Sequence, residues 1–200
     1  CVTNIGMTHG VSEHTLISAG GRSLYDFANV LTATPDASIA RFFRCVGEQM
    51  SMAQQPRRCI IMIDSGLNDR NQHAWALGPN PGPSSTGQGF VSNAWAIIDR
   101  LRQVLLADGW TEQEFCFVLS VSQPVNSDPY SLEEFRLMRF RESSIQMALT
   151  GDVTFLNLSR LTSASELASL GYYNFGGGDR AHMTQPAYED LSGRELDALR

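Results

Sequence analysis

The order of apolar runs along the chain constrains its fold more than any single motif does. The run CIIMI, Cys59 to Ile63, is apolar throughout, as expected of a parallel strand that is covered on both faces. An earlier segment instead repeats its apolar residues at helical spacing, at Ile39, Phe42 and Val46. Strands that alternate with helices predict an α/β domain with a parallel sheet and helices on both faces.

The predicted strands and helices alternate along most of the chain. The strands are HTLISAGG (14–21), CIIMI, EFCFVLSVSQPV and DVTFLNL. The helices are SLYDFANVL, DASIARFFRCVGEQMSMA (Asp36 to Ala53), FVSNAWAIIDRLRQVLLADG, SLEEFRLMRFRESSIQMAL, SASELASLG and QPAYEDLSGRELDALR. Asp36 is a predicted N-cap and Gly109 a predicted C-terminal stop, while Ser131 and Glu134 have capping-box spacing. Residues 76–89 are predicted to form a long surface loop, because they are rich in proline, glycine and serine.

Composition narrows the class of protein. The chain has 200 residues, 42% of them hydrophobic, which predicts one globular domain over residues 1–200. The formal net charge of -6 argues against nucleic-acid binding through neutralised phosphates. No apolar run approaches the roughly 20 residues that span a bilayer. Four histidines without an HxH or HExxH cluster argue against a metal site.

The four cysteines are widely spaced and form no CxxC pair, which argues against a zinc or redox motif. Cys59 and Cys116 lie inside apolar runs and are predicted to be small, buried core residues. A disulfide bond between Cys1 and Cys45 stays open, since the sequence does not decide it.

Three polar segments are placed where a site is expected. AGGRS (19–23) and DSGLND (64–69) each come at the end of a predicted strand, and GGGDRAH (176–182) precedes the last helix. In a parallel α/β fold the functional site lies beyond the carboxyl ends of the strands. We therefore expect the three segments to meet at that edge of the sheet.

Each segment holds residue types that suit acyl transfer, and each also has a plain structural explanation. Asp179 lies three residues before His182, a spacing that lets a carboxylate orient an imidazole for general-base catalysis, or that merely caps a loop. Asn68 is suited to donate in an oxyanion hole, or to form an Asx turn. Gly21 can expose its N–H to a reacting oxygen, or only make a tight turn.

The order and placement of these segments resemble those of the SGNH (GDSL-type) hydrolases, over most of the chain. By that resemblance Gly21 matches the glycine of the second block, with Gly20 as the alternative register. Asn68 matches the asparagine of the third block, and Asp179 and His182 match the fifth. The resemblance implies a flavodoxin-like three-layer α/β/α sandwich, a Ser-His-Asp triad and an oxyanion hole completed by glycine and asparagine. It implies no metal or organic cofactor.

One block of the family's pattern is missing from this chain. The family carries its nucleophile in a Gly-Asp-Ser block on the first strand, and no such block stands upstream of Gly21. Either that strand and its serine lie before Cys1, or this copy has lost the nucleophile. Ser23 and Ser65 are poor substitutes, because each would take over a segment that the pattern needs for its glycine or its asparagine.

The resemblance predicts a serine hydrolase of carboxylic esters, an acyl or acetyl esterase acting on a small-molecule or carbohydrate ester. Asp69 would support Asn68. Arg70 and Arg180 would bind an anionic group of the substrate, or pair with the aspartates beside them. One rival is an SGNH-fold module that binds carbohydrate or protein without cleaving it. The other is a nucleotide- or flavin-binding domain, which the absence of GxGxxG in AGGRS disfavours.

Overall fold

Three parallel strands form the described part of the sheet. The computed structural model describes residues 23–41, 59–69, 89–125, 130–151, 153–173 and 182–198. Within these residues the strands are β1 (Cys59–Ser65), β2 (Phe115–Val121) and β3 (Val153–Leu156), side by side in that order. Both pairings are parallel. The predicted α/β domain with a parallel sheet is confirmed, and the strand predicted at 14–21 lies outside the described residues.

Helices precede, connect and follow the strands. They are α1 (Leu24–Ala33), α2 (Phe90–Ala107), α3 (Leu132–Thr150), α4 (Ala164–Ser169) and α5 (Gln185–Ala198), with a 3-10 turn at Leu158–Arg160. Each of the five coincides with a predicted helical segment, although α1 extends two residues and α3 one residue beyond the predicted end. Residues 36–41 are helical as well, and the rest of the helix predicted to reach Ala53 lies outside the described residues. None of the helices described here is long and apolar enough to cross a bilayer.

One face of the sheet carries the main hydrophobic core. Alternate side chains of a strand point to the same face, and the odd-numbered residues from Phe115 to Val121 are all buried. α1, α2 and α3 contribute their apolar side chains to this same core. Phe90 of α2 stacks on Phe140 of α3, with ring centroids 4.4 Å apart. This packing fixes the carboxyl ends of the strands relative to α1 and α3, and so positions the candidate site.

The opposite face of the sheet is exposed along β1. Ile60 and Met62 are 55% and 38% exposed, and Cys116, which pairs with Ile60, is exposed too. The prediction that CIIMI is covered on both faces is therefore wrong for the described residues, as is the prediction that Cys116 is buried. The physical reason is coverage: the described helices α1, α2 and α3 pack in the core on the other face, and these side chains of β1 and β2 are left exposed. Cys59 points into the main core and is half-buried, and neither Cys59 nor Cys116 is in a disulfide bond.

The start of the helix at 36–41 differs from the prediction. The carbonyl of Pro35 accepts hydrogen bonds from the N–H groups of Ser38 and Ile39. Asp36 therefore lies inside the first turn and is not its N-cap. Its carboxylate forms an ion pair with Arg100 of α2 instead.

The ends of α2 and α3 follow the prediction in part. Gly109 follows α2 with φ +86°, a conformation that suits a glycine at a helix end. Ser131 caps α3, and its hydroxyl accepts from the N–H of Glu134 at 3.2 Å. The predicted capping box stays half-formed, because the Glu134 carboxylate accepts from the N–H of Val125 at 2.7 Å instead of reaching back to Ser131.

Candidate functional site

The chain turns sharply at Gly66, directly after β1. Gly66 has φ +104°, a conformation that residues with a side chain rarely adopt. A Cβ atom there would also lie 3.0 Å from Cγ1 of Val121 and 3.1 Å from Cδ2 of Leu137. The glycine therefore lets the end of β1 pack closely on β2 and α3 while the chain turns toward Asn68.

Asp69 ties this turn to the start of α1. Its side chain is 1% exposed. Oδ1 accepts a hydrogen bond from the N–H of Leu24 at 3.0 Å, and Oδ2 accepts one from the N–H of Gly66 at 3.2 Å. The first N–H groups of a helix have no partner inside the helix, so the carboxylate satisfies a donor that α1 itself leaves open. The end of AGGRS is thereby held against DSGLND.

Asn68 lies at the tip of the turn and is half-buried. The residue before it, Leu67, packs against the main core, and the residue after it, Asp69, is anchored by two backbone hydrogen bonds. Asn68 is thus held between two fixed neighbours. A donor that is fixed before the substrate arrives is what an oxyanion hole requires.

The charge on Asp69 is costly to bury. Burial raises the pKa of Asp69 to about 6 from its ordinary 3.8, although the N–H groups of Leu24 and Gly66 oppose the rise. The folded protein therefore binds a proton at Asp69 more tightly than the unfolded chain does. This carboxyl stabilises the fold most below about pH 4, and that contribution is lost as the pH rises through about 6.

We expect Asp69→Asn to remove this part of the pH dependence of stability. Between about pH 4 and pH 7, the difference in unfolding free energy between wild type and Asp69→Asn should change by about 2 kcal/mol, in favour of the variant at the higher pH. The asparagine carries no charge, although it loses one of the two acceptors. Urea unfolding followed by circular dichroism at four pH values measures the difference.

The pKa of Glu195 of α5 lies close to that of Asp69, so Glu195 also contributes to the pH dependence of stability. Burial, and to a lesser degree the nearby Asp64, raises the pKa of Glu195 to about 7. Glu195 therefore acts in the same direction as Asp69, and the comparison is repeated with Glu195→Gln in both proteins. The prediction would be contradicted if the difference in unfolding free energy between wild type and Asp69→Asn did not vary with pH, either with Glu195 present or with Glu195→Gln.

Ser23 is a helix cap in this structure. It is 1% exposed, its hydroxyl donates to Oδ2 of Asp26 at 2.9 Å, and it accepts from the N–H of Asp26 in a complete capping box. A buried hydroxyl that is engaged in this way is poorly placed to attack a substrate. The side chain of Ser65, the other internal serine, lies outside the described part of the structure.

His182 is exposed and lies three residues before α5. The next residue, Met183, forms an antiparallel bridge with Tyr173, and the hydroxyl of Tyr173 donates to the carbonyl of Pro124. Pro124 follows the end of β2 by three residues. Because β1 and β2 are parallel neighbours, the segment of His182 is tied to the carboxyl end of the sheet, the end at which the turn of Asn68 follows β1.

A buried pair of charges, which the sequence patterns did not predict, fixes the loop after β2. Nη2 of Arg141 donates to the carbonyl of Ser122 at 2.8 Å, and Nη1 lies 3.8 Å from Oε2 of Glu134. Glu134 in turn accepts from the N–H of Val125. A helical pattern does carry one signal for this: Arg141 comes four residues after the buried Leu137, which places it on the inner face of α3.

The remaining predicted site residues lie outside the described residues; they are Gly20, Gly21, Arg70, Asp179 and Arg180. Within the described part of the chain, no three His, Cys, Asp or Glu side chains converge to hold a metal ion. No family model, curated protein or solved structure matches the chain.

Proposed function

We propose that this protein hydrolyses carboxylic esters as an SGNH-type serine hydrolase. The observation that carries the proposal is the contact of Asp69 with Leu24 and Gly66, which holds the GLND turn against the start of α1. An oxyanion hole made from a glycine N–H and an asparagine amide needs the AGGRS and GLND segments side by side. The anchoring of the His182 segment at the end of β2 supports the third part of the site.

In the proposed reaction, His182 takes the proton from a serine hydroxyl as the serine oxygen attacks the ester carbonyl. His182 then gives that proton to the leaving alcohol. Asp179 holds the imidazole in the productive tautomer. The oxyanion accepts hydrogen bonds from the N–H of Gly21 and the amide of Asn68, with the N–H of the nucleophile as a third donor. Water then cleaves the acyl-serine with His182 as the base.

The proposal includes a finer account of the fold, a flavodoxin-like three-layer sandwich over a single domain of residues 1–200. The parallel order β1-β2-β3 and the packing of α1 to α3 on one face are compatible with it. The strand that carries the nucleophile would pair with the edge of β1 that has no neighbour among the described residues. Its carboxyl end would then lie beside Gly66.

The proposed substrate is an acyl or acetyl ester of a small molecule or a carbohydrate. Arg70 and Arg180, beside the two motifs, would bind an anionic group of that substrate or pair with the neighbouring aspartates. The alternative is an SGNH-fold module that binds carbohydrate or protein without cleaving it. One observation favours the alternative: Ser23, the serine beside the glycine block, is buried in a capping box.

A fluorophosphonate probe separates the two functions, because it labels only an activated serine. The full-length protein is incubated with the probe and digested, and the labelled peptide is identified by mass spectrometry. We expect one labelled serine other than Ser23, and no label in His182→Ala. Ser23→Ala is the control: it should lose about 1 kcal/mol of stability as a cap and keep its label. A folded wild-type protein that takes no label would contradict the hydrolase and favour the binding module.

A further inference from the structure

Tyr173 connects the segment of His182 to the loop after β2. Its side chain is 3% exposed and packs with Met183 in a small hydrophobic core that α4 and α5 share. Its hydroxyl donates to the carbonyl of Pro124, and its backbone pairs with that of Met183. Because Met183 directly follows His182, this hydrogen bond ties the position of His182 to the end of β2.

The loop that holds Pro124 is itself fixed on both sides. The carbonyl of Ser122 accepts from Arg141 at 2.8 Å, and the N–H of Val125 donates to Glu134 at 2.7 Å. The side chains of Arg141 and Glu134 are only 9% and 11% exposed. Hydrogen bonds to charged groups are stronger than those between neutral groups. The two bonds therefore hold the loop, and with it the carbonyl of Pro124, in place.

The phenol of Tyr173 keeps its proton at every pH suitable for an assay. Burial raises the pKa of Tyr173 to about 12. The hydrogen bond to Pro124 therefore imposes the same constraint at acidic, neutral and mildly basic pH. If its removal changes the pH profile of catalysis, that change reports on His182 and not on titration of Tyr173.

We propose that Tyr173 is a positioning residue, which fixes His182 relative to the carboxyl end of β2 through its hydrogen bond to Pro124 and its pairing with Met183. This inference rests on the proposed role of His182 in ester hydrolysis. A displacement of a reacting group by about 1 Å can lower the rate about 10²-fold. Loss of the Tyr173 hydroxyl should therefore reduce kcat, while substrate binding is largely kept.

The test compares Tyr173→Phe with Tyr172→Phe, which removes the phenolic hydroxyl of the neighbouring residue. Tyr172 is half-buried, and its hydroxyl interacts with Asp190 of α5. For Tyr173→Phe we expect kcat for p-nitrophenyl acetate to fall about 10- to 100-fold, KM to change less than about twofold, and the acidic limb of the kcat/KM profile to move. Tyr172→Phe should match wild type in all three.

A second measurement needs no enzyme activity. The imidazole NMR signals of His182 are assigned by comparison with His182→Gln and titrated in both tyrosine variants. They should change in Tyr173→Phe and stay unchanged in Tyr172→Phe, even if wild type cleaves no ester and takes no fluorophosphonate label. That combination would refute the proposed function alone. Should Tyr173→Phe fail to fold, Glu134→Gln, which weakens the support of the loop, is expected to change the same signals.

Unchanged kinetics together with unchanged His182 signals in Tyr173→Phe would overturn the inference. Signals that change equally in Tyr172→Phe and Tyr173→Phe would overturn it too, because the effect would then belong to the shared core and not to the hydrogen bond. If Glu134→Gln is the variant used, unchanged His182 signals in that variant would likewise overturn the inference.

Discussion

Replacement of His182 by alanine is expected to lower kcat for ester hydrolysis by at least about 10³-fold. Without an imidazole, the serine hydroxyl has no general base and the leaving alcohol has no general acid. The fold should be largely kept, because His182 is exposed and the backbone bridge between Met183 and Tyr173 does not depend on the imidazole. Steady-state kinetics with p-nitrophenyl acetate, at matched protein concentration, measure the effect.

A matched control for this variant lies three residues along the chain. Gln185 is exposed at the start of α5, and its amide donates to Glu189 on the same helix. Gln185→Ala should keep kcat within about twofold of wild type, as surface substitutions usually cost little. If His182→Ala also retained full turnover, the role assigned to His182 would be excluded.

Asn68→Ala is expected to lower kcat about 10²- to 10³-fold, with KM nearly unchanged. The amide would donate to the oxyanion that forms in the transition state and would contribute less to the neutral ester. Asn68→Asp keeps the shape of the side chain but replaces the donor by a charged acceptor, so it should be at least as slow. Kinetics of the same ester, together with urea unfolding, separate loss of catalysis from loss of fold.

The control for this second variant is an asparagine with a purely local partner. Asn29 is exposed on α1 and its amide donates to the carbonyl of Tyr25. Asn29→Ala should leave kcat unchanged. A kcat for Asn68→Ala within a factor of about three of wild type would show that Asn68 is not an oxyanion donor.

Local sequence signals predicted the helices and strands better than they predicted which side chains of those elements are exposed. Ser131 and Gly109 act at helix ends as expected, because each effect depends on a few neighbouring residues. The exposure of Cys116 and Ile60 depends on which segments cover the sheet, and an apolar run carries no information about that. Strand and helix patterns are local, whereas coverage of a face is a property of the whole fold.

The candidate site shows the same division. The sequence predicted that Asp69 would support the loop of Asn68, and its bond to the N–H of Gly66 is a local contact of that kind. Its second partner, the N–H of Leu24, lies 45 residues away, and nothing in the GLND motif indicates this contact. The hydrogen bond from Tyr173 to Pro124 spans 49 residues and was equally hidden. Such contacts arise only when separate segments meet at the carboxyl end of the sheet.

Asn68 and His182 are proposed to serve one reacting serine, and a crystal structure of the fluorophosphonate-reacted full-length protein would show all three groups together. We expect a phosphonyl oxygen within about 3 Å of the Asn68 amide nitrogen and the ring of His182 beside the modified serine. A His182 ring more than about a dozen ångströms from the Asn68 amide, roughly twice the span of a triad with its oxyanion hole, would exclude a shared site for the two residues.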